Sequence, residues 1–237
     1  SGDFDEVSIE LHRTDKKDPV SNEEAMASLS ISVKSKNPDL VGRLFSAKII
    51  ELALANIPGF FAQGGVKSSG PVIVYWPALI NSKHIKEIVH INEKEIEIIP
   101  TSQLEFEEIY YQKEPFELED VELNDEEQIY FGDLYGTRSG DKGGCANLGI
   151  WSKNSKSYSF LYKFLTVDKL KELLPDLNMY KIERFDLPNI KSLNFYIHDI
   201  LQDGVSSNNR KDGQAKSLGE YLRAKKIKVP KSIIGEI

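Results

Sequence analysis

Val7, Ile9 and Leu11 alternate with polar residues, and Leu29, Ile31 and Val33 repeat the pattern, so residues 7–13 and 29–33 read as half-buried strands, each needing a helix to cover it. Asn37 before Pro38 gives a cap residue followed by proline at the first helical position. Leu40, Val41, Leu44, Phe45, Ile49, Leu52 and Ala53 then recur at helical spacing, which predicts a helix that stops near Asn56, ahead of Pro58-Gly59. Gly64-Gly65 and Ser68-Ser69-Gly70-Pro71 mark a loop, and Val72 to Trp76 reads as a buried strand. Residues 87–91 and 95–99 alternate around Asn92-Glu93-Lys94, the pattern of a hairpin.

A stretch with Pro115, no glycine and little period, residues 105–127, separates this mixed α/β first half from the second and is read as an acidic linker running along the surface. The expected division is therefore 1–104, 105–127 and 128–237. The second half opens with a strand over 129–135, then the glycine-rich run 136–144, then a strand over 146–151. Helical patterns cover 158–164 and 167–174, strands follow at 179–187 and 193–197, and a short helix at 217–225 precedes an edge strand at 227–229. Interleaved elements of this length predict an α+β fold whose C-terminal part is a sandwich of one helical and one sheet layer.

Composition narrows the function. Of 237 residues 40% are hydrophobic and 28% charged, ordinary for a globular protein. A net charge of -7 argues against nucleic acid as a partner. No apolar run reaches membrane-spanning length and the start has no signal-peptide pattern, so the expectation is a cytoplasmic protein with no membrane partner. The single cysteine, Cys145, excludes an intrachain disulfide and a cysteine-built metal site, and His12, His84, His90 and His198 have no metal-ligand spacing, so neither metal nor cofactor is expected. His198 stands out because it follows a predicted strand and lies close in sequence to a polar cluster that begins at Gly204. Acidic residues dominate 105–127 and basic residues dominate 210–231; the two runs read either as solvated surface or as segments that dock on one another.

Two segments carry candidate chemistry. In Arg138-Ser139-Gly140-Asp141-Lys142-Gly143-Gly144 the glycines would let backbone N–H groups converge into an anion-binding hollow, with Arg138 gripping a carboxylate or phosphate, Lys142 adding a point charge and Asp141 either orienting a partner or accepting a proton. The same run also reads as a tight hairpin turn with solvated charges. It is not a P-loop, because Asp141 and Gly143 stand where glycine and Ser or Thr are required, and Ser139 lacks the glycine of a nucleophile elbow at Thr137. The second segment, residues 204–216, leads into the helix expected at Ser217 and places Arg210 and Lys216 beside it, either as a second anion contact or as a polar loop with a capping serine.

These segments carry a resemblance. Gly132-Asp133-Leu134-Tyr135-Gly136-Thr137-Arg138-Ser139-Gly140-Asp141-Lys142-Gly143-Gly144-Cys145-Ala146-Asn147-Leu148-Gly149-Ile150-Trp151 is similar over its whole length to the signature of the acyclic terpene utilisation (AtuA) family, departing at Cys145, where relatives usually carry Asn. Leu187-Pro188-Asn189, Leu193-Asn194-Phe195 and the run from Gln214 to Arg223 agree too, as do Val41-Gly42-Arg43, Pro58-Gly59-Phe60-Phe61 and Tyr75-Trp76-Pro77-Ala78-Leu79 in the first half. The resemblance implies a C-terminal ferredoxin-like domain, preceded by the end of the family's main domain, whose larger N-terminal region lies outside this chain. It implies breakdown of acyclic terpenoids such as citronellol and geraniol through branched acyl-CoA thioesters, with lyase or hydratase chemistry fitting the charged groups. The expected catalytic pair is Asp141 and Lys142. The expected binding set is Arg138, Ser139, Gly140, Gly143, Gly144, Asn147, Arg210 and Lys216. The partner would be an acyl-CoA or carboxylate ligand, with self-association or docking to the family's N-terminal region. A non-catalytic accessory or assembly module is the competing class, whereas electron transfer is excluded because iron–sulfur clusters need several cysteines.

Overall fold

The computed structural model describes residues 3–53, 58–62, 68–98, 116–123 and 125–234. The chain divides into two compact units, Ser1–Ile73 with Ser207–Lys211, and Val74–Ser206 with Asp212–Ile237. In the first unit β1 (Glu6–His12) pairs antiparallel with β2 (Ser28–Lys34), from Glu6 opposite Lys34 to His12 opposite Ser28. The strands were expected to turn their apolar sides to a core. Instead Val7, Ile9 and Leu11 remain 51%, 66% and 59% exposed.

Asn37 caps α1 (Pro38–Val41), its side chain accepting from the Asp39 amide at 3.0 Å, with Pro38 at the first helical position. The single helix expected here is two: at Gly42 the backbone leaves helical values, φ -88 and ψ -130, and α2 (Arg43–Ala53) follows. Phe4 meets Phe45 edge-on at 5.9 Å, and Asn209, from the short segment that belongs to this unit, donates to the Glu6 carboxylate.

Residues 72–76 form no strand; Val72, Tyr75 and Trp76 are 49%, 71% and 85% exposed. An apolar β-branched run fits a strand locally, but a strand needs a neighbour for its N–H and C=O groups, and none is present among the described residues. The expected hairpin does form, as β3 (Glu87–Ile91) and β4 (Lys94–Ile98). Positive φ at both Asn92 and Glu93, 45 and 67, gives the primed turn whose twist suits a two-residue connection.

The acidic stretch is described from residue 116, while residues 105–115 lie outside the described part. It has no regular structure over 116–123 but is anchored. Phe116 sits edge-on to Tyr162 at 5.3 Å, the Glu119 amide donates to Ser159 Oγ at 2.9 Å, and Val121 packs against the core. The strand expected over 129–135 is shorter and earlier, β5 (Glu126–Tyr130), and Phe131–Leu134 turns into a helix, α3. Asp133 accounts for the switch, because its carboxylate accepts from the Tyr130 amide at 3.0 Å and ends the extended run.

The main sheet has the order β6 (Gly136–Lys142), β7 (Cys145–Trp151), β9 (Ser192–Ile197), β8 (Ile182–Leu187), all antiparallel. Between β7 and β8 run α4 (Ser155–Phe164), capped by Asn154, and α5 (Val167–Leu173), capped by Thr166. After β9 come α6 (Leu218–Arg223), β10 (Lys226–Pro230) and α7 (Lys231–Ile234). Alternate sheet residues, among them Ala146, Leu148, Ile150, Leu193, Phe195 and Ile197, form one buried cluster with Leu161, Leu165, Leu170 and Leu222. Tyr135 is buried with them. Its hydroxyl donates to the Ser157 carbonyl at 3.1 Å, and burial pushes its phenol well above the ordinary value. The acidic and basic runs meet where β5 pairs with β10, and Lys231 Nζ lies 3.0 Å from Asp125. The α+β class agrees with the reading of the sequence.

Candidate functional site

The glycine-rich run is a strand and not a hollow. Residues 136–142 are β6, and only Gly143 and Gly144 make the turn, with φ +65 at Gly143. A two-residue hairpin turn closes on a hydrogen-bonded pair, here Lys142 opposite Cys145. Alternation then commits the amides of Lys142, Gly140 and Arg138 to β7 and turns the backbone groups of Asp141, Ser139 and Thr137 to the free edge. The expected convergence of amides over 140–144 is therefore absent. The turn glycines serve packing: a Cβ on Gly144 would lie 2.1 Å from the Gln202 carbonyl oxygen, and the Gly144 carbonyl accepts from the Leu201 amide at 2.8 Å.

Alternation also sorts the side chains. Thr137 and Ser139 point inward, each 7% exposed, while Arg138 lies on the exposed side. Ser139 Oγ accepts from the Gly219 amide at 2.9 Å and donates to the Lys216 carbonyl at 3.2 Å, tying α6 and the residues before it to the edge of β6. Asp212 holds the rest of the connection. Its carboxylate accepts from the amides of Lys216 and Ser217, both at 2.9 Å, and from Ser217 Oγ at 2.7 Å. The capping group is thus Asp212, and Ser217 makes no side-chain cap.

A cleft of about 210 Å³ opens at this seam, lined by Thr137, Arg138, Ser139, Lys216, Gly219 and Glu220. Arg138 and Lys216 line the cleft together with Glu220, and neither has an ion-pair partner among the described residues. Opposing them is Glu220, whose carboxylate lies 3.7 Å from Arg223 Nε. Thr137 Oγ1 is buried without a hydrogen-bond partner.

Comparison with known families now bears on the same residues. The AtuA ferredoxin-like domain matches residues 130–228, which contain the whole cleft, and the acyclic terpene utilisation family protein AtuA matches residues 1–91. The chain belongs to the acyclic terpene utilisation family. No curated protein and no solved structure matches it.

Within this AtuA-family domain the expected site residues divide. Arg138, Ser139 and Lys216 come together although two separate segments supply them. Asp141, Lys142, Gly140, Gly143, Gly144 and Asn147 do not line the cleft. Lys142 Nζ donates to its neighbour's carbonyl, Asp141 O, at 2.7 Å, and Asn147 Nδ2 donates to Asn194 at 3.3 Å on the side of the sheet away from the core. Arg210 falls in the first unit. His198 also lies away from the cleft, with Nε2 3.0 Å from Glu183 and its ring edge-on to Tyr196 at 4.9 Å. Thr137, Asp212 and Glu220 were missed. Thr137 and Glu220 had a local signal, their places in the family-like runs from Gly132 to Trp151 and from Gln214 to Arg223, and Asp212 stood within the polar segment 204–216.

Among the described residues no group of three or more His, Cys, Asp and Glu is placed to hold a metal ion, and no helix is long and apolar enough to cross a membrane. Asp212→Ala should lower stability by about 0.5–2 kcal/mol, the usual cost of losing a helix-start acceptor, read by urea denaturation; an unchanged midpoint would show that the three contacts contribute nothing net.

Proposed function

We propose that the chain acts in the catabolism of acyclic terpenoids on an acyl-CoA or carboxylate intermediate, and that the cleft between β6 and α6 binds the ligand's anionic group. Family membership supports the pathway. The observation that carries the site is that Arg138 and Lys216, neither in an ion pair among the described residues, line one cleft with Thr137 and Ser139. A guanidinium offers a fixed fork of donors to a carboxylate, and an ammonium adds a movable charge. Lyase or hydratase chemistry suits this arrangement, since it needs an anion held still while a proton moves on or off a neighbouring carbon or oxygen. In this reading Glu220, which lines the cleft, carries the proton in place of Asp141 or Lys142.

The test is calorimetric titration of the chain with a branched-chain acyl-CoA and with the corresponding free acid. Binding of at least one is expected, weakened about tenfold or more for each of Arg138→Ala and Lys216→Ala, the usual worth of a hydrogen bond to a charged group. Affinity unchanged in the double variant would remove the cleft from the function.

A further inference from the structure

We infer that the outer face of the four-stranded sheet holds the hydrocarbon tail of an amphiphilic carboxylate whose head sits at Arg138, an inference that rests on the reading of the cleft as an anion site. Strand pairing fixes which residues share this face. Residues directly opposite one another in an antiparallel sheet point the same way. Leu148, Leu193 and Phe195 point into the core, on the side where Arg184 of β8 stacks on Tyr162 of α4. Their neighbours in sequence therefore point outward, and at one end of the sheet they make two rows across it. The first is Gly136, Trp151, Ser192 and Leu187; the second is Arg138, Gly149, Asn194 and Phe185.

Chemistry is unevenly spread over these rows. Their one charged side chain, Arg138, stands exposed at the β6 end, on the strand that borders the cleft. Across the sheet from it lie Trp151, Phe185 and Leu187, 44%, 49% and 41% exposed. The polar side chains between them are already engaged: Ser192 Oγ donates to the Ile190 carbonyl, and Asn194 Oδ1 accepts from Asn147. Trp151 is held in a defined pose. A Cβ on Gly136 would fall within 2.6 Å of three indole atoms, so the ring fills the place of the side chain that Gly136 lacks. Gly136 and Arg138 are two residues apart on one strand, roughly 7 Å, which sets an exposed aromatic ring beside an exposed guanidinium. Apolar surface left in water is unfavourable in proportion to its area. A cation at one end and apolar groups toward the other are the complement of an acid head with a hydrocarbon tail. A nucleotide would match the cation and the ring but offers nothing to Phe185 and Leu187. These two lie on the far edge strand, three strand spacings or roughly 14 Å from β6. A medium-length acyl chain reaches that far, over Gly149, whereas butyrate does not.

The experiment titrates the chain calorimetrically with decanoate, butyrate, decanol and adenosine monophosphate, all below micelle-forming concentrations. It is repeated on Arg138→Ala, on Trp151→Ala and on the double variant Phe185→Ser with Leu187→Ser. Trp76, 85% exposed, is the other tryptophan, so in a Trp76→Phe background the fluorescence reports Trp151 alone. Decanoate should bind at least about tenfold more tightly than butyrate, since each methylene laid on the face leaves water, and it should shift the Trp151 emission. Decanol should bind about tenfold more weakly than decanoate for want of a charged partner for Arg138. Trp151→Ala and the double variant should each weaken decanoate about fivefold or more and leave butyrate unchanged. The double variant alters only exposed side chains of an edge strand and so decides the matter if Trp151→Ala does not fold. Equal affinity for the two acids, or a decanoate affinity that the double variant does not move, would overturn the tail assignment. The cleft reading would survive that result if Arg138→Ala still weakened both acids. Decanol binding as tightly as decanoate, or adenosine monophosphate binding more tightly, would also overturn the inference. If neither acid binds, the inference and the reading beneath it fall together.

Discussion

Gly144→Ala should destabilise the chain by about 1–3 kcal/mol or more, the range for forcing atoms into a packed interior. The new Cβ would stand 2.1 Å from the Gln202 carbonyl oxygen. A backbone atom cannot rotate away as a side-chain tip can, so the β6–β7 turn and the turn at 201–204 would have to separate. Separation would also stretch the bond from the Leu201 amide to the Gly144 carbonyl, now 2.8 Å. Gly140 is the internal control, because a Cβ built there meets nothing within 4 Å and its φ is unexceptional. Urea denaturation of the two alanine variants should give a clear loss for Gly144 and a small change for Gly140. Equal, small losses would mean that the turns do not bear on one another.

Phe195→Ala should cost more, about 3–5 kcal/mol. Phe195 is fully buried on β9, opposite Leu148 of β7 on one side and Arg184 of β8 on the other. A cavity at that point touches both central strands, and neighbours such as Leu148 and Leu193, themselves held by strand pairing, cannot collapse into it. Chemical denaturation followed by tyrosine and tryptophan fluorescence gives the figure. A loss below about 1 kcal/mol would show that the site repacks and that the core is looser than its burial indicates.

The parts of the fold that announced themselves in the sequence are those where hydrophobicity and geometry share a period. Ala146, Leu148 and Ile150, and Leu193, Phe195 and Ile197, face inward at every second position, so β7 and β9 were readable. β6 reads as a glycine-rich turn because its inward positions are Thr137 and Ser139, small polar residues with no hydrophobic signature, and because the glycines of the run 136–144 outweigh them. The run at 72–76 erred the other way: Val72, Ile73 and Val74 have the composition of a strand, but pairing is a property of the neighbour. Two cations of the site were recognised by residue type. Their meeting was not, because the link between Ser139 and Gly219 spans 80 residues, and nothing near Asp212 in the chain marks it as the acceptor for Lys216 and Ser217.

The amides of Lys216, Ser217 and Gly219 are held by side-chain oxygens, those of Asp212 and Ser139, and not by carbonyls of a preceding helical turn. Their deuterium uptake therefore measures whether the two side chains are in place, separately from whether the sheet remains folded. An occupied cleft would slow the uptake at these positions and leave that of Leu148 or Phe195 untouched, so the residues that shape the site also act as its built-in reporters.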